Sequence, residues 1–241
     1  MWRLVNSDLK DAAYTTAADE AILMKRVDES APNTLHLYRR EKPTVSLGYF
    51  QKVEKCIDPA IISDEGIILV RRMSGGSAIY SDRGQITYSL ITSEQELPGT
   101  IIEVFERISN ALVDALLAFG IDAKYSPPND ILVNGRKISG SAQIRRLGCI
   151  AQHGTILVDT NLELMNRVLL SPKRSTASMT TMSLELGKAP SINDVNRTIV
   201  DSFQENFRIS LTREEFKEDE LQLITHLMKT KYCNEQYTFM R

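Results

Sequence analysis

Arg71-Arg72-Met73-Ser74-Gly75-Gly76-Ser77-Ala78-Ile79-Tyr80 lies between two strand-like runs, Gly66–Val70 and Gln85–Thr92. Two adjacent arginines run straight into a turn of small residues. Gly75 and Gly76 have no β-carbon, so the backbone there can take positive φ and let a ligand approach closely. Successive N–H groups of such a turn can point at an anion, and arginine adds a fixed charge and a fork of donors. The chemistry indicated is phosphate or carboxylate binding. The same residues also read as a solvated strand end followed by a plain loop. Two nucleotide motifs are excluded: the Gly-Lys-Ser/Thr ending of a P-loop and the G-x-G-x-x-G spacing are both missing.

Working outward, the pattern is mixed. Thr15-Thr16 reads as the N-cap of an amphipathic helix reaching about Val27, and Thr34–Arg40 and Thr44–Phe50 read as strands. Pro98-Gly99-Thr100 opens the strongest helix, whose apolar face runs from Ile101 to Phe119 and stops at Gly120. Ile121–Tyr125 reads as a strand, and Asp130–Val133, Asn134-Gly135 and Arg136–Ile138 as a hairpin, since Asn-Gly suits a type I′ turn. Cys149–Gln152 and Thr155–Val158 are strand-like, Asn161–Leu170 is a short helix, and Lys173–Ser183 is a loop. Ser191–Phe207 and Glu214–Lys229 are helices capped at Ser191 and Thr212. Strands dominate early and helices late, which predicts an α+β (mixed α/β) fold rather than a doubly wound parallel sheet.

The 241 residues are expected to form a single domain, with about 205–241 as a helical C-terminal extension. A net charge of −2 gives no global field to draw in nucleic acid or an acidic membrane. No apolar run approaches the roughly 18 residues of a membrane span, and the N-terminus has no signal-peptide core. Cys56, Cys149 and Cys233 are scattered and have no metal or disulfide spacing. The cytoplasm is the expected compartment.

Two further blocks carry chemistry. In Asn129–Gln143, Lys137 follows a tight turn and precedes Ser139-Gly140-Ser141-Ala142. An ammonium fixed there can hold a phosphate or an acyl carbonyl oxygen and stabilise charge that develops during acyl or nucleotidyl transfer. It also reads as a surface lysine beside a hairpin. In Gln152-His153-Gly154-Thr155, His153 reads as a general base, a ligand contact or a core histidine. Cys149 lies four residues earlier and on the same strand face. It reads either as an acyl nucleophile or as an inert core thiol.

Together these blocks resemble the lipoate-protein ligase family of the biotinyl/lipoyl transferase superfamily. The resemblance rests on Leu47–Gln51, Arg71–Gly76, Asn129-Asp130, Gly135–Ala142 and His153–Thr155, and covers roughly Trp2 to Arg241. It implies mixed β-sheets flanked by helices. It also implies an ATP-dependent ligase that converts lipoate to lipoyl-AMP with Mg²⁺ and passes the lipoyl group to a lysine of an acceptor domain or carrier protein. Carried over, Lys137 is the catalytic residue. Arg72, Gly75, Gly76, Ser77, Ala78, Tyr80, Asp82, Asn129, Asp130 and Lys137 bind the nucleotide, with Asp130 as the Mg²⁺ ligand. Lys137, Gly140, Ser141, Ala142 and His153 bind lipoate. Ser77 stands where the family has a third glycine, Ser81 where it has His, and Thr87 where it has Asn.

Gln85–Leu90, Gln143 and Gln152 resemble the related octanoyl transferases, which move an acyl group between carrier proteins and use a cysteine upstream of the lysine. Tyr125–Asp130 holds no cysteine, which favours the ligase and leaves the transferase as the alternative. A biotin ligase is less well matched, because that branch's Gly-Arg-Gly-rich loop is absent. The length leaves no room for the C-terminal accessory domain of many ligases, so a small accessory subunit is expected to support adenylate formation.

Overall fold

The computed structural model describes residues 1–170 and 178–241. Its strands are β1 (Trp2–Lys10), β2 (Asn33–Arg40), β3 (Thr44–Leu47), β4 (Ile68–Arg71), β5 (Ile79–Ser81), β6 (Gln85–Ser93), β7 (Ala123–Ser126), β8 (Asp130–Val133), β9 (Arg136–Arg146), β10 (Cys149–Leu157) and β11 (Leu211–Arg213). Its helices are α1 (Ala12–Val27), α2 (Pro59–Asp64), α3 (Ile101–Leu117), α4 (Leu162–Val168), α5 (Met182–Leu186), α6 (Ile192–Phe207), α7 (Glu218–Leu227) and α8 (Glu235–Thr238). Among the described residues, one mixed sheet runs β11-β1-β2-β6-β10-β9-β8-β7, and a small sheet runs β4-β3-β5. This is the mixed sheet flanked by helices that the sequence led us to expect.

The two faces of the large sheet follow the period of two along its strands. On β2, Leu35 and Leu37 join the main apolar core with residues of α3 and α6. His36 and Tyr38, on the opposite face, meet Asp19 of α1. On β6 and β10 the same split sends Ile86, Tyr88, Leu90, Ile150 and Ile156 into the main core. Ile91, Cys149 and Ala151 pack instead against Ile22 and Leu23 of α1. A cavity lined in part by Thr16 and Asp19 of α1 opens on this face.

Several boundaries differ from expectation for local reasons. The cap of α1 is Asp11, whose side chain accepts from the N–H groups of Ala13 and Tyr14. Thr15 and Thr16 bond back to carbonyls within the helix. α3 does open at Thr100, in a reciprocal capping box with Glu103. α7 starts after Lys217, and Thr212 lies in β11. β9 and β10 are long continuous partners, paired from Cys149↔Arg146 to Ile156↔Ser139. Their small and polar residues hid them from a search for alternating apolar positions. β1 escaped for a related reason. Its Arg3 is fully buried, donating to Glu220 Oε2 (2.9 Å) and Thr34 Oγ1 (3.0 Å). The loop expected over Lys173–Ser183 falls largely on 171–177, outside the described residues, and Met182 and Ser183 belong to α5.

The C-terminal segment docks onto the rest of the chain. Glu220 pairs with Arg3, and Lys231 bonds both oxygens of Glu20 on α1 at 2.9 and 2.8 Å. Arg71 donates from Nε and Nη2 to Thr238 O at 3.0 and 2.8 Å.

Candidate active site

β8 and β9 form one wall of the site. Their register slips between Ile131 and Leu132: Leu132 faces Lys137, Ile131 faces Ser139, and Ile138 is the extra residue. This bulge bends the strand locally. It turns Ile138 into the core, fully buried, while Lys137, Ser139 and Gly140 line the cavity. Gly140 sits directly opposite Asp130. A β-carbon on Gly140 would lie 2.5 Å from both Cε and Nζ of Lys137. The bare glycine therefore lets the lysine fold over the strand until Nζ lies 2.5 Å from Asp130 Oδ1. Asn129 stays fixed beside them, its carbonyl accepting from Ser141 N at 3.0 Å.

The opposite wall is the Arg71–Tyr80 stretch. Strand alternation sends its two arginines in opposite directions. Arg71 is fully buried and bonds the carbonyls of Gly48 (2.9 Å), Gln51 (2.8 Å) and Thr238. Arg72 lines the cavity, yet its guanidinium braces the loop. It donates to Ser46 O (2.8 Å), Gly75 O (2.7 Å), Ser77 O (2.8 Å) and Ser74 Oγ (3.0 Å). Gly76 takes φ +89°, whereas Ser77 lies outside the left-handed region. The side chain at the family's glycine position thus meets no backbone penalty.

Asp19, on the buried face of α1, joins this wall to the central sheet. Ser74 Oγ accepts from Arg72 Nε at 3.0 Å and is hydrogen-bonded to His153 Nε2 at 2.6 Å. His153 Nδ1 lies 3.7 Å from Asp19 Oδ2. His36 Nδ1 donates to Asp19 Oδ1 at 2.8 Å, with Ser7 at its other nitrogen, and Tyr38 OH donates to Asp19 Oδ2 at 3.1 Å. Burial alone would raise the Asp19 carboxyl. The hydrogen bonds and charge of His153 and His36 overrule it and hold the group well below the usual carboxylate range. His153 thus stands between Ser74 of the loop wall and Asp19 of α1, with its ring on the cavity lining.

These walls enclose a cavity of about 270 Å³. Its lining contains Arg72, Gly76, Ser77, Tyr80, Asn129, Asp130, Lys137, Gly140, Ser141, Ala142 and His153 from the expected set. Gly75, Ala78 and Asp82 are not in it. Asp82 instead accepts from the N–H groups of Gly84 and Asn161, both at 2.9 Å, and so holds the β5–β6 turn against the start of α4. Sequence reading did not assign Asp19, Tyr38, Gln85 and Thr87 to the site, nor the apolar lining residues Ile79, Leu157, Met165 and Met179. Asp19 had one legible signal: a carboxylate among the alanines of an amphipathic helix. None of the three cysteines lines the cavity. Cys149 shares a strand face with His153. Four residues of strand separate them by roughly 13 Å, and burial pushes the Cys149 thiol up.

The lipoyl protein ligase A/B catalytic domain model matches residues 11–204. The chain belongs to this family. As a member of it, the chain resembles two curated relatives over its whole length, both called octanoyltransferase LipM. The Anoxybacillus flavithermus protein is 30% identical over 276 residues, covering 100% of this chain and 99% of the relative. The Kyrpidia tusciae protein is 32% identical over 273 residues, with the same coverage. Among solved structures, the bi-partite lipoate protein ligase from Thermoplasma acidophilum superposes with a TM-score of 0.88 at 28% identity, covering 98% of this chain and 95% of that one.

The full-length likeness to octanoyltransferases overturns the ATP-dependent ligase expected from the sequence, and with it the ATP and Mg²⁺ requirement. Three side chains assigned to the nucleotide and metal have partners within the chain. Arg72 braces loop carbonyls, Asp82 is a turn residue, and the carboxylate assigned to Mg²⁺, Asp130, pairs with Lys137. Among the described residues, no group of three His, Cys, Asp or Glu side chains converges on a metal position. No helix among them is long and apolar enough to cross a membrane.

Proposed function

We propose that this chain is an acyltransferase that moves an octanoyl or lipoyl group from a carrier protein to a lysine of an acceptor protein. The observation that carries the reading is Lys137, folded over Gly140 in a cavity whose lining is both polar and apolar. A medium-length acyl chain fits that polarity. Ile79, Leu157, Met165 and Met179 take the tail, and Lys137 takes the carbonyl oxygen, where negative charge builds as the acyl carbon becomes tetrahedral. Ser139–Ala142 and the Gly76-Ser77 turn shape the two sides. The full-length similarity to octanoyltransferases points the same way. The accessory subunit served adenylate formation, and transfer between carriers does not call for it. The cytoplasm is the compartment this reading assumes.

The test is mass spectrometry of an acceptor lipoyl domain after incubation with the purified chain and an octanoyl thioester of a carrier protein, with ATP left out. The acceptor is expected to gain one octanoyl group on a lysine. An acceptor that stays unmodified, while adding free acid and ATP modifies it, would refute the transferase.

A further inference from the structure

The rim of the cavity carries side chains that the chemistry within it does not use. Gly76 and Ser77 line the cavity and are also exposed, so its mouth opens beside the Gly75-Gly76-Ser77 turn. Phe50 stands next to this turn and is 70% exposed. A β-carbon on Gly75 would lie 3.7 Å from its ring. One on Gly76 would lie 3.8 Å from Ala142 Cβ on β9, so the turn joins Phe50 to the strand that carries Lys137.

The C-terminal segment completes this surface. Tyr49 meets Phe50 edge-on with ring centroids 4.9 Å apart, and the Arg241 guanidinium lies over the two rings at 5.4 and 5.5 Å. Buried Arg71 ties the two segments together, donating to the carbonyls of Gly48, Tyr49 and Gln51 and to that of Thr238. Phe239 and Met240 follow, both exposed, and the Arg241 carbonyl accepts from Val53 N at 3.4 Å. Exposed aromatic, methionine and arginine side chains gathered at a rim are the composition of protein–protein contacts. The flank is basic. Residues 49–55 and 238–241 hold Lys52, Lys55 and Arg241 against Glu54 alone, in a chain whose net charge is −2.

One partner is constrained to this place. The acceptor must bring a lysine nitrogen to the acyl carbonyl beside Lys137. A lysine side chain reaches only roughly 6 Å beyond its backbone, so the body of the acceptor lies on the mouth itself. A thioester donor can ride on a longer arm, and its body is free of that limit.

We propose that Phe50, with Phe239, Met240 and Arg241, is the docking surface for the acceptor domain, which meets it with an apolar hollow flanked by acidic side chains. This rests on the transferase reading above for the arrival of an acceptor lysine at Lys137. Phe50 fills the hollow, while Arg241, Lys52 and Lys55 face the acceptor's carboxylates and speed association. None of these side chains lines the cavity, so the surface acts on acceptor binding and not on the chemical step.

The experiment separates binding from turnover. An unmodified acceptor lipoyl domain is titrated into the full chain by calorimetry, and transfer from an octanoyl carrier-protein thioester is followed in parallel. Phe50→Ser is expected to weaken acceptor binding and raise the acceptor KM by about tenfold, with kcat within about twofold of wild type. The donor KM should not move. Arg241→Glu is expected to weaken acceptor binding about fivefold, with a flatter salt dependence. Leu117→Ser, which replaces a 58% exposed apolar residue on α3, should leave binding and transfer as they are. Melting temperatures of all three should match wild type, since the replaced side chains are exposed. Unchanged acceptor affinity in Phe50→Ser would overturn the docking surface. So would a loss confined to the donor, or a wild-type dimer that Phe50→Ser converts to monomer, since the patch would then serve the donor or a second copy of the chain. A wild-type chain that binds the acceptor through Phe50 yet transfers nothing from the thioester would overturn the transferase reading and leave the docking surface standing.

Discussion

On the loop wall of the cavity, Arg72 gives its donors to Ser46, Ser74, Gly75 and Ser77. On the strand wall, Lys137 lies over a bare glycine against one carboxylate. Both carry a conspicuous cation beside small residues, and they use it differently. The loop wall spends charge on its own carbonyls and runs on through Ser74 and His153 to Asp19, a frame whose polar groups satisfy one another. The strand wall keeps its charge where substrate atoms arrive. Sequence motifs rich in chemical residue types can thus be scaffolding, and a plain Asn-Gly hairpin can hold the reacting end.

Substitutions can break this contrast, and the largest effect belongs to the strand wall. Lys137→Ala is expected to lower transfer to the acceptor by about 10²–10³-fold, the usual cost of removing one oxyanion donor. Its melting temperature should stay close to wild type, since the side chain is partly exposed. On the loop wall the order reverses, with stability falling first. Asp19→Asn places an amide against donors from His36 and Tyr38, so its NH₂ faces an N–H or an O–H. A cost of about 3 kcal/mol in unfolding free energy is expected, readable by denaturant titration.

The same carboxylate sets a pH dependence. Its folded pKa is depressed, so its stabilising contribution is complete above the ordinary carboxylate value of roughly 4. That contribution drains away as pH falls below this value. Thermal unfolding from pH 6 to 3 should show a steeper acid loss in wild type than in Asp19→Asn.

Much of this contrast was legible before the structure, but not its assignment. Lys137, Gly140 and Asp130 were readable as a group because an Asn-Gly turn brings the two strands together across a short hairpin. What no local pattern revealed was the bulge at Ile138, which decides that lysine and glycine face the same cavity. Arg71 and Arg72 looked equivalent in sequence. Only the strand direction and the C-terminal helix, which follows Arg71 by more than 160 residues, separate an anchor for Thr238 from a brace for the loop. β9 and β10 were underread because Gly, Ser, Gln and Arg fill positions that open onto a cavity rather than a core. His153 was readable as one of three alternatives, and its partners Asp19 and Ser74 come from distant elements that no spacing rule connects.

A subtler perturbation of the strand wall is Gly140→Ala. The added carbon would meet Lys137 Cε and Nζ at 2.5 Å, and the flexible end of that side chain can swing away. Folding should survive, while the ammonium loses its place beside Asp130. Transfer is expected to fall about tenfold, a little over 1 kcal/mol of transition-state stabilisation. An unchanged kcat would show that Lys137 does not need the conformation that Gly140 permits.

The smallest effect is expected at Ser77, where the chain leaves the family's glycine pattern. A residue held at positive φ would gain from becoming glycine, but Ser77 lies outside that region. Its link to the frame is the backbone carbonyl that accepts from Arg72 at 2.8 Å, which glycine keeps. Ser77→Gly therefore removes only a hydroxymethyl group from the cavity rim and loosens the unfolded chain, a cost of about 0.5 kcal/mol. Steady-state transfer should stay within about twofold of wild type. A larger rise in rate would mean that the serine side chain restricts the cavity. A large fall would mean that its hydroxyl touches the acyl donor and that the loop wall does more than frame the site.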